Sequence, residues 1–192
     1  TALDLYSRSR VHMLGGALEF TAQNLDNSFG IWAASGASFT MTGGTISYNQ
    51  TSREGGGISL GWLDRNKGAA INDFITTLNM SGGVLDHNVA TSTGGGLNIT
   101  AGREAYINAG DFTNNSANGY EYQPESGYSA PARVYSGGGI YLDAQQLNSR
   151  GGYAGKPGYA LIHRVLITGN SSSSYCGGIA TCQTSNTYIA SS

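Results

Sequence analysis

Apolar and polar residues along the chain alternate in short runs, with no stripe of the 3.6-residue period that marks an amphipathic helix. Ile58/Leu60, Leu97/Ile99 and Ile140/Leu142 each hold two apolar positions around a different residue, which predicts strands with one face buried. Each of these pairs follows a glycine word: Gly55-Gly56-Gly57, Gly94-Gly95-Gly96 and Gly137-Gly138-Gly139. Cys176-Gly177-Gly178-Ile179 is a fourth copy, and Phe29-Gly30-Ile31 a degenerate earlier one.

A second word pairs two apolar positions with a third and ends in Asn. It runs from Phe39 and Met41 to Ile46 and Asn49, and again from Leu78 and Met80 to Leu85 and Asn88. Further copies run from Ala105 and Ile107 to Phe112 and Asn115, and from Ala160 and Ile162 to Ile167 and Asn170. A weaker leading copy starts at Val11 and Met13 and has Thr21 in place of Asn, while Thr187 and Ile189 begin a trailing one.

The position after the glycines recurs at Ile31, Ile58, Leu97, Ile140 and Ile179, in steps of 27, 39, 43 and 39 residues. The excess over 27 sits in three places, giving insertions at 61–77, 117–136 and 143–159. Strands of this kind, separated by Gly and Asn turns and repeated at fixed spacing, predict an all-β, right-handed parallel β-helix of about six coils in which equivalent strands stack roughly 4.8 Å apart. Asn is the non-glycine residue that best tolerates left-handed backbone, so Asn49, Asn88, Asn115 and Asn170 are expected at one corner as a structural, hydrogen-bonded ladder.

Composition agrees with this reading. The chain of 192 residues suits one domain, and its 30 glycines accompany only 11% charged residues, where about a quarter is usual. With 39% hydrophobic residues and 12 tyrosines, the polar surplus is not that of a disordered tract. A formal net charge of −2 without a Lys/Arg run gives no footprint for nucleic acid or an anionic membrane. No apolar stretch approaches the roughly 18 residues of a transmembrane helix, so no membrane insertion by this segment is expected.

The alternation of glycine-apolar words with Phe-Thr-Asn-Asn-type words, of which Phe112 to Asn115 is the closest copy, resembles the polymorphic outer-membrane, autotransporter-like right-handed β-helix adhesins over about residues 11 to 190. That resemblance implies exposure on a cell surface and adhesion. Thr1 to Arg10 lack the layout of a signal peptide and there is no initiator Met, so the chain is expected to be a segment of a larger secreted or surface protein.

On a solenoid, recognition belongs in the insertions, which vary without disturbing the core. The 61–77 insertion carries Trp62, Asp64, Arg65, Lys67 and Asp73; 143–159 carries Arg150, Tyr153, Lys156 and Tyr159; 117–136 carries Tyr120, Glu121, Tyr122, Glu125, Tyr128, Arg133 and Tyr135. The 61–77 and 143–159 insertions occupy the same corner two coils apart, with Arg103 and Glu104 on the coil between. They are expected to wall a groove about 10 Å wide. Trp62, Asp64, Arg65, Arg103, Glu104, Tyr153 and Tyr159 are therefore the candidate ligand-binding set, for a glycan or a surface protein, since flat amphipathic rings give contact area at low entropic cost. The other reading of these tyrosines is that they pack the loops onto the scaffold.

Two competing functions remain. Asp64, Arg65, Lys67, Arg103, Glu104 and Asp143 supply the groups a polysaccharide lyase or hydrolase would need, but dense Asp pairs and Gly-His-Gly words are missing. A purely structural solenoid, associating end to end into filaments, is the other alternative. The outward row Ser47, Asp86, Thr113 and Thr168 is too irregular for an ice-binding face. His12, His87 and His163 do not converge, the calcium-binding nonapeptide Asp is missing, and every glycine word leads into a strand, so neither metal nor nucleotide cofactor is expected. Cys176 and Cys182, if fully extended between, would stand roughly 20 Å apart, beyond disulfide reach. Either both are free, or the last rung bends at Gly177 and Gly178 and a disulfide closes a small loop, as an oxidising location would allow.

Overall fold

The computed structural model describes residues 3–5, 8–19, 30–34, 36–61, 75–100, 102–122, 133–142, 146–147, 153–154, 158–181 and 186–190. These form an all-β fold without a helix, built on three sheets of parallel strands. The first sheet orders Leu3–Leu5, Ile31–Ala33, Ile58–Leu60, Leu97–Ile99, Ile140–Leu142 and Ile179–Thr181 side by side. Its register sets Ile31 opposite Ile58, Ile58 opposite Leu97, Leu97 opposite Ile140 and Ile140 opposite Ile179.

The second sheet orders Arg10–Met13, Ser38–Met41, Thr77–Asp86, Glu104–Thr113, Tyr159–His163 and Asn186–Ala190. Thr45–Ser47 and Val165–Thr168 lie beside the second halves of its longer strands, and Ala17–Glu19 pairs with Thr45–Ser47. The third sheet is short: Gln50–Thr51, Val89–Ala90, Ser116–Ala117 and Ser171–Ser172. Two antiparallel pairs that the repeat pattern does not predict also occur, Tyr120–Tyr122 with Arg133–Tyr135 and Gln146–Leu147 with Tyr153–Ala154.

The apolar positions of both words point into one core. Phe39, Met41, Ile46, Ile58, Leu60, Leu78, Met80, Leu85, Leu97, Ile99 and Phe112 are all fully buried, each contributing about 1.5–3 kcal/mol of transfer free energy. Along one inward row Met41, Met80, Ile107 and Ile162 are buried, whereas Ile189, next in register, is 66% exposed.

Two expectations are corrected. The strands of the first sheet were expected to bury one face, yet Ser59, Asn98 and Tyr141 on the other face are buried too. The chain entering each glycine word folds back over that face: a Cβ on Gly55 would lie 2.7 Å from the Ser59 Cβ, and one on Gly94 2.9 Å from the Asn98 Cα. Left-handed backbone also falls one residue before the expected asparagines, at Tyr48 (φ 55°), His87 (φ 51°), Asn114 (φ 53°) and Gly169 (φ 64°).

The four asparagines themselves turn inward and are hydrogen-bonded in series. The Oδ1 of Asn88 accepts from both the backbone N–H (3.1 Å) and the Nδ2 (2.9 Å) of Asn49. Asn115 does the same for Asn88, and Asn170 for Asn115. Each Nδ2 also donates to a carbonyl of the preceding stretch, from Asn88 to Ile46, from Asn115 to Leu85 and from Asn170 to Phe112. Asn49, Asn88 and Asn115 are buried, so these bonds answer the cost of taking the Asn88 and Asn115 amides out of water, while the Asn49 Oδ1 is left without a donor among the described residues.

Candidate functional site

Of the seven sequence-nominated ligand residues, Arg103, Glu104 and Tyr159 are described together at one corner. Trp62, Asp64 and Arg65 lie outside the described residues, as do Lys67, Asp73, Asp143, Arg150 and Lys156 of the same insertions. Tyr153 lies in the pair that sets Leu147 opposite it. Cys176 is exposed with a free thiol, and Cys182 is also outside the described residues. The chain bends at Gly177 and Gly178 before Ile179–Thr181 pairs with Ile140–Leu142.

The corner is built from the ends of the first-sheet strands. The Gly61 carbonyl, where the 61–77 insertion leaves the scaffold, accepts from the Ser59 hydroxyl (3.0 Å) and the Trp32 indole N–H (3.3 Å). Where it returns, the Thr76 hydroxyl accepts from the Gly36 N–H (3.1 Å) and the Thr76 carbonyl from the Glu104 N–H (3.1 Å). Both roots of the insertion are thus held by the scaffold. The turn into the next coil is closed by the Arg103 N–H on the Thr100 carbonyl (3.1 Å), while the Thr100 hydroxyl donates to the Leu60 carbonyl (2.7 Å).

Gly61 has φ +79°, and a Cβ there would fall 2.4 Å from the Thr100 Oγ1 and 2.9 Å from the Arg103 Nε. The guanidinium stem therefore lies directly against the glycine. Burial lowers the pKa of Arg103 from its ordinary value. Among the described residues its Nε is sealed without an acceptor, and its Nη1 reaches only the Gly102 carbonyl at 3.4 Å. Asn98, also buried, donates nothing through Nδ2, although its Oδ1 accepts from the Thr93 hydroxyl (2.9 Å).

Beside Arg103, the outward face of the second sheet carries a file of tyrosines that sequence reasoning recognised only at Tyr159. The Tyr106 and Tyr159 ring centroids are 5.6 Å apart, and those of Tyr159 and Tyr188 5.9 Å, tilted by 48° and 44°. Tyr188 is 58% exposed. The Tyr106 hydroxyl donates to the Glu104 Oε2 (2.8 Å); this bond, then burial and the charge of Glu104, raise the phenol pKa. The signal was present at spacing two, since Glu104, Tyr106 and Tyr159, Leu161 alternate with the inward Ala105 and Ala160.

A second polar cluster was missed altogether. The Asp86 carboxylate accepts from the Thr113 hydroxyl (2.5 Å) and Asn114 Nδ2 (3.0 Å) at Oδ1, and meets the His87 Nδ1 (2.6 Å) at Oδ2. Burial alone would raise the Asp86 pKa, but the bonds from Thr113, His87 and Asn114 and the His87 charge outweigh it and hold the group below 3.8. His87 stacks on Tyr48 with centroids 5.0 Å apart. Asp86 and Thr113 fall on neighbouring strands in register, in an outward row whose irregular sequence gives no sign of their pairing.

Among the described residues, no group of three or more His, Cys, Asp or Glu side chains is placed to hold a metal ion, and no helix is long and apolar enough to cross a membrane. No protein-family model, curated protein or solved structure matches the chain.

Proposed function

We propose that this chain is a right-handed parallel β-solenoid with a basal rung of 27 residues, working as a binding and display module at an extracellular or cell surface. The ligand is a glycan or an exposed polypeptide of a surface partner, and the asparagine series is the ladder that stiffens the scaffold. The observation that carries this reading is the outward tyrosine file Tyr106, Tyr159 and Tyr188, set beside Arg103 and Glu104. Exposed rings on strands whose opposite face already supplies the core are not required for packing, and aromatic faces next to polar groups suit sugars and peptide planes. Pinning both roots of the 61–77 insertion next to this file supports display, because a loop on a rigid frame loses less freedom on binding.

The test is a panel of glycans and surface polypeptides presented to the wild-type chain and to a Tyr159→Ala/Tyr188→Ala double variant. Binding of at least one ligand is expected, weakened roughly 2- to 12-fold for each ring removed. Unchanged affinity in a folded double variant, or no ligand anywhere in the panel, counts against the reading.

A further inference from the structure

Arg103 is a cation in want of an anion. Arg103 is half-buried, and a charged group drawn even partly out of water is normally paired, because its desolvation is otherwise unanswered. Among the described residues Arg103 meets no carboxylate, its Nε has no acceptor, and its single weak bond is to a backbone carbonyl at 3.4 Å. Its neighbour in sequence does not answer it: Glu104 spends Oε2 on the Tyr106 hydroxyl. Gly61 makes the arrangement possible, since any side chain there would occupy the space of the Arg103 stem.

The pair therefore offers opposite chemistry to one ligand. With Nε sealed, the terminal Nη groups of Arg103 present the N–H donors that match a carboxylate, while Glu104 presents acceptor positions on Oε1 that match hydroxyls. The tyrosine file beside them presents ring faces that match the apolar faces of pyranoses. A neutral sugar would leave Arg103 unanswered, and a simple acidic peptide would set its carboxylates beside Glu104 with no hydroxyl to offer it. A sugar acid carries carboxylate, hydroxyls and apolar ring faces on one unit.

Resting on the binding reading above, we infer that the ligand is an acidic glycan, a chain containing hexuronic acid units, whose carboxylate docks on Arg103 while its hydroxyls reach Glu104 and its rings lie along Tyr106, Tyr159 and Tyr188. Binding uses no chemical step. The carboxylate replaces water on the guanidinium, and affinity falls with added salt because a partly exposed ion pair is screened.

The experiment is calorimetric titration of the whole chain with hexuronic acid oligomers and with the same oligomers after carboxyl reduction, at low and at physiological salt. Wild type is expected to prefer the acid form at least tenfold. Arg103→Met should lose roughly 10- to 100-fold of affinity for the acid form and leave the reduced form unaffected. Arg103→Lys, which keeps the charge without the fork, should recover part of the loss. Thermal melts establish that each variant is folded, and the lysine variant carries the test if the methionine variant is not. Equal affinity of wild type for both oligomers, or an acid preference that survives in Arg103→Met, overturns the inference while leaving the binding reading intact. Binding of neither oligomer also overturns it, and the binding reading falls with it only if the wider ligand panel is empty as well.

Discussion

The asparagine corner and the Arg103 corner both bury polar groups, and they treat them in opposite ways. At the first, Asn88 accepts twice through Oδ1 and donates twice through Nδ2, so its whole amide is engaged across three successive strands. The series leaves one sealed atom, the Asn49 Oδ1 of its first member, whereas at the second corner the charged Arg103 Nε is sealed without an acceptor among the described residues, as is the neutral Asn98 Nδ2 in the first sheet. A completed buried network stabilises and fixes one arrangement, whereas an incomplete one costs free energy in the folded state. The asparagine corner, completed at Asn88 and Asn115, is therefore scaffold. The incomplete one is where the molecule holds chemistry that folding alone does not use.

Substitution of the two buried asparagines gives the largest expected contrast. Asn88→Ala strands the Asn49 N–H, takes one of two donors from the Ile46 carbonyl and removes both contacts to neighbouring amides. At about 1–3 kcal/mol for each buried group left unsatisfied, the loss should reach about 3 kcal/mol or more. Asn98→Ala gives up one bond from Thr93 and relieves an unpaired N–H, so about 1 kcal/mol or less is expected. Urea denaturation of both variants measures the difference, and equal losses would erase the distinction between the corners.

Much of the scaffold was legible before any coordinate, and the physical reason lies in particular residues. Side chains alternate faces along a strand, so Phe39 with Met41 and Leu78 with Met80 could be aligned by spacing alone, and they pair in the second sheet. The glycine words marked places where a side chain would meet the next strand: a Cβ on Gly96 would lie 2.7 Å from the Gly139 carbonyl. The site was less legible. The Asp86 contact with Thr113 spans 27 residues and depends on register plus an outward rotamer. The shortage of partners at Arg103 is a property of packing in three dimensions that no spacing expresses, although Arg103 and Glu104 were themselves picked out by their coil.

On the outer face beside the asparagine corner, Asp86 holds its own network with Thr113, Asn114 and His87, which makes it sensitive to acid. Its folded pKa is depressed below the unfolded value of about 3.9. It therefore contributes stability that is fully present above about pH 4 and is lost as pH falls through the folded pKa. Asp86→Asn should flatten the acid limb of a stability-versus-pH curve in that window, by less than about 1 kcal/mol because the group is partly exposed. An unchanged acid limb would detach Asp86 from the network.

The smallest expected effect falls on the unpaired cation. Arg103→Met keeps an apolar stem against Gly61 and removes a desolvated charge together with the sealed Nε. Where a buried charge already lacks its partner, nothing is left stranded by its removal, and an apolar replacement of similar length is neutral or mildly stabilising. Urea midpoints of wild type and Arg103→Met should agree to within about 0.5 kcal/mol, or favour the variant. A loss of 2 kcal/mol or more, on the order of what a broken buried network costs, would show that Arg103 is bonded within the fold, and would place this corner with the asparagines as scaffold.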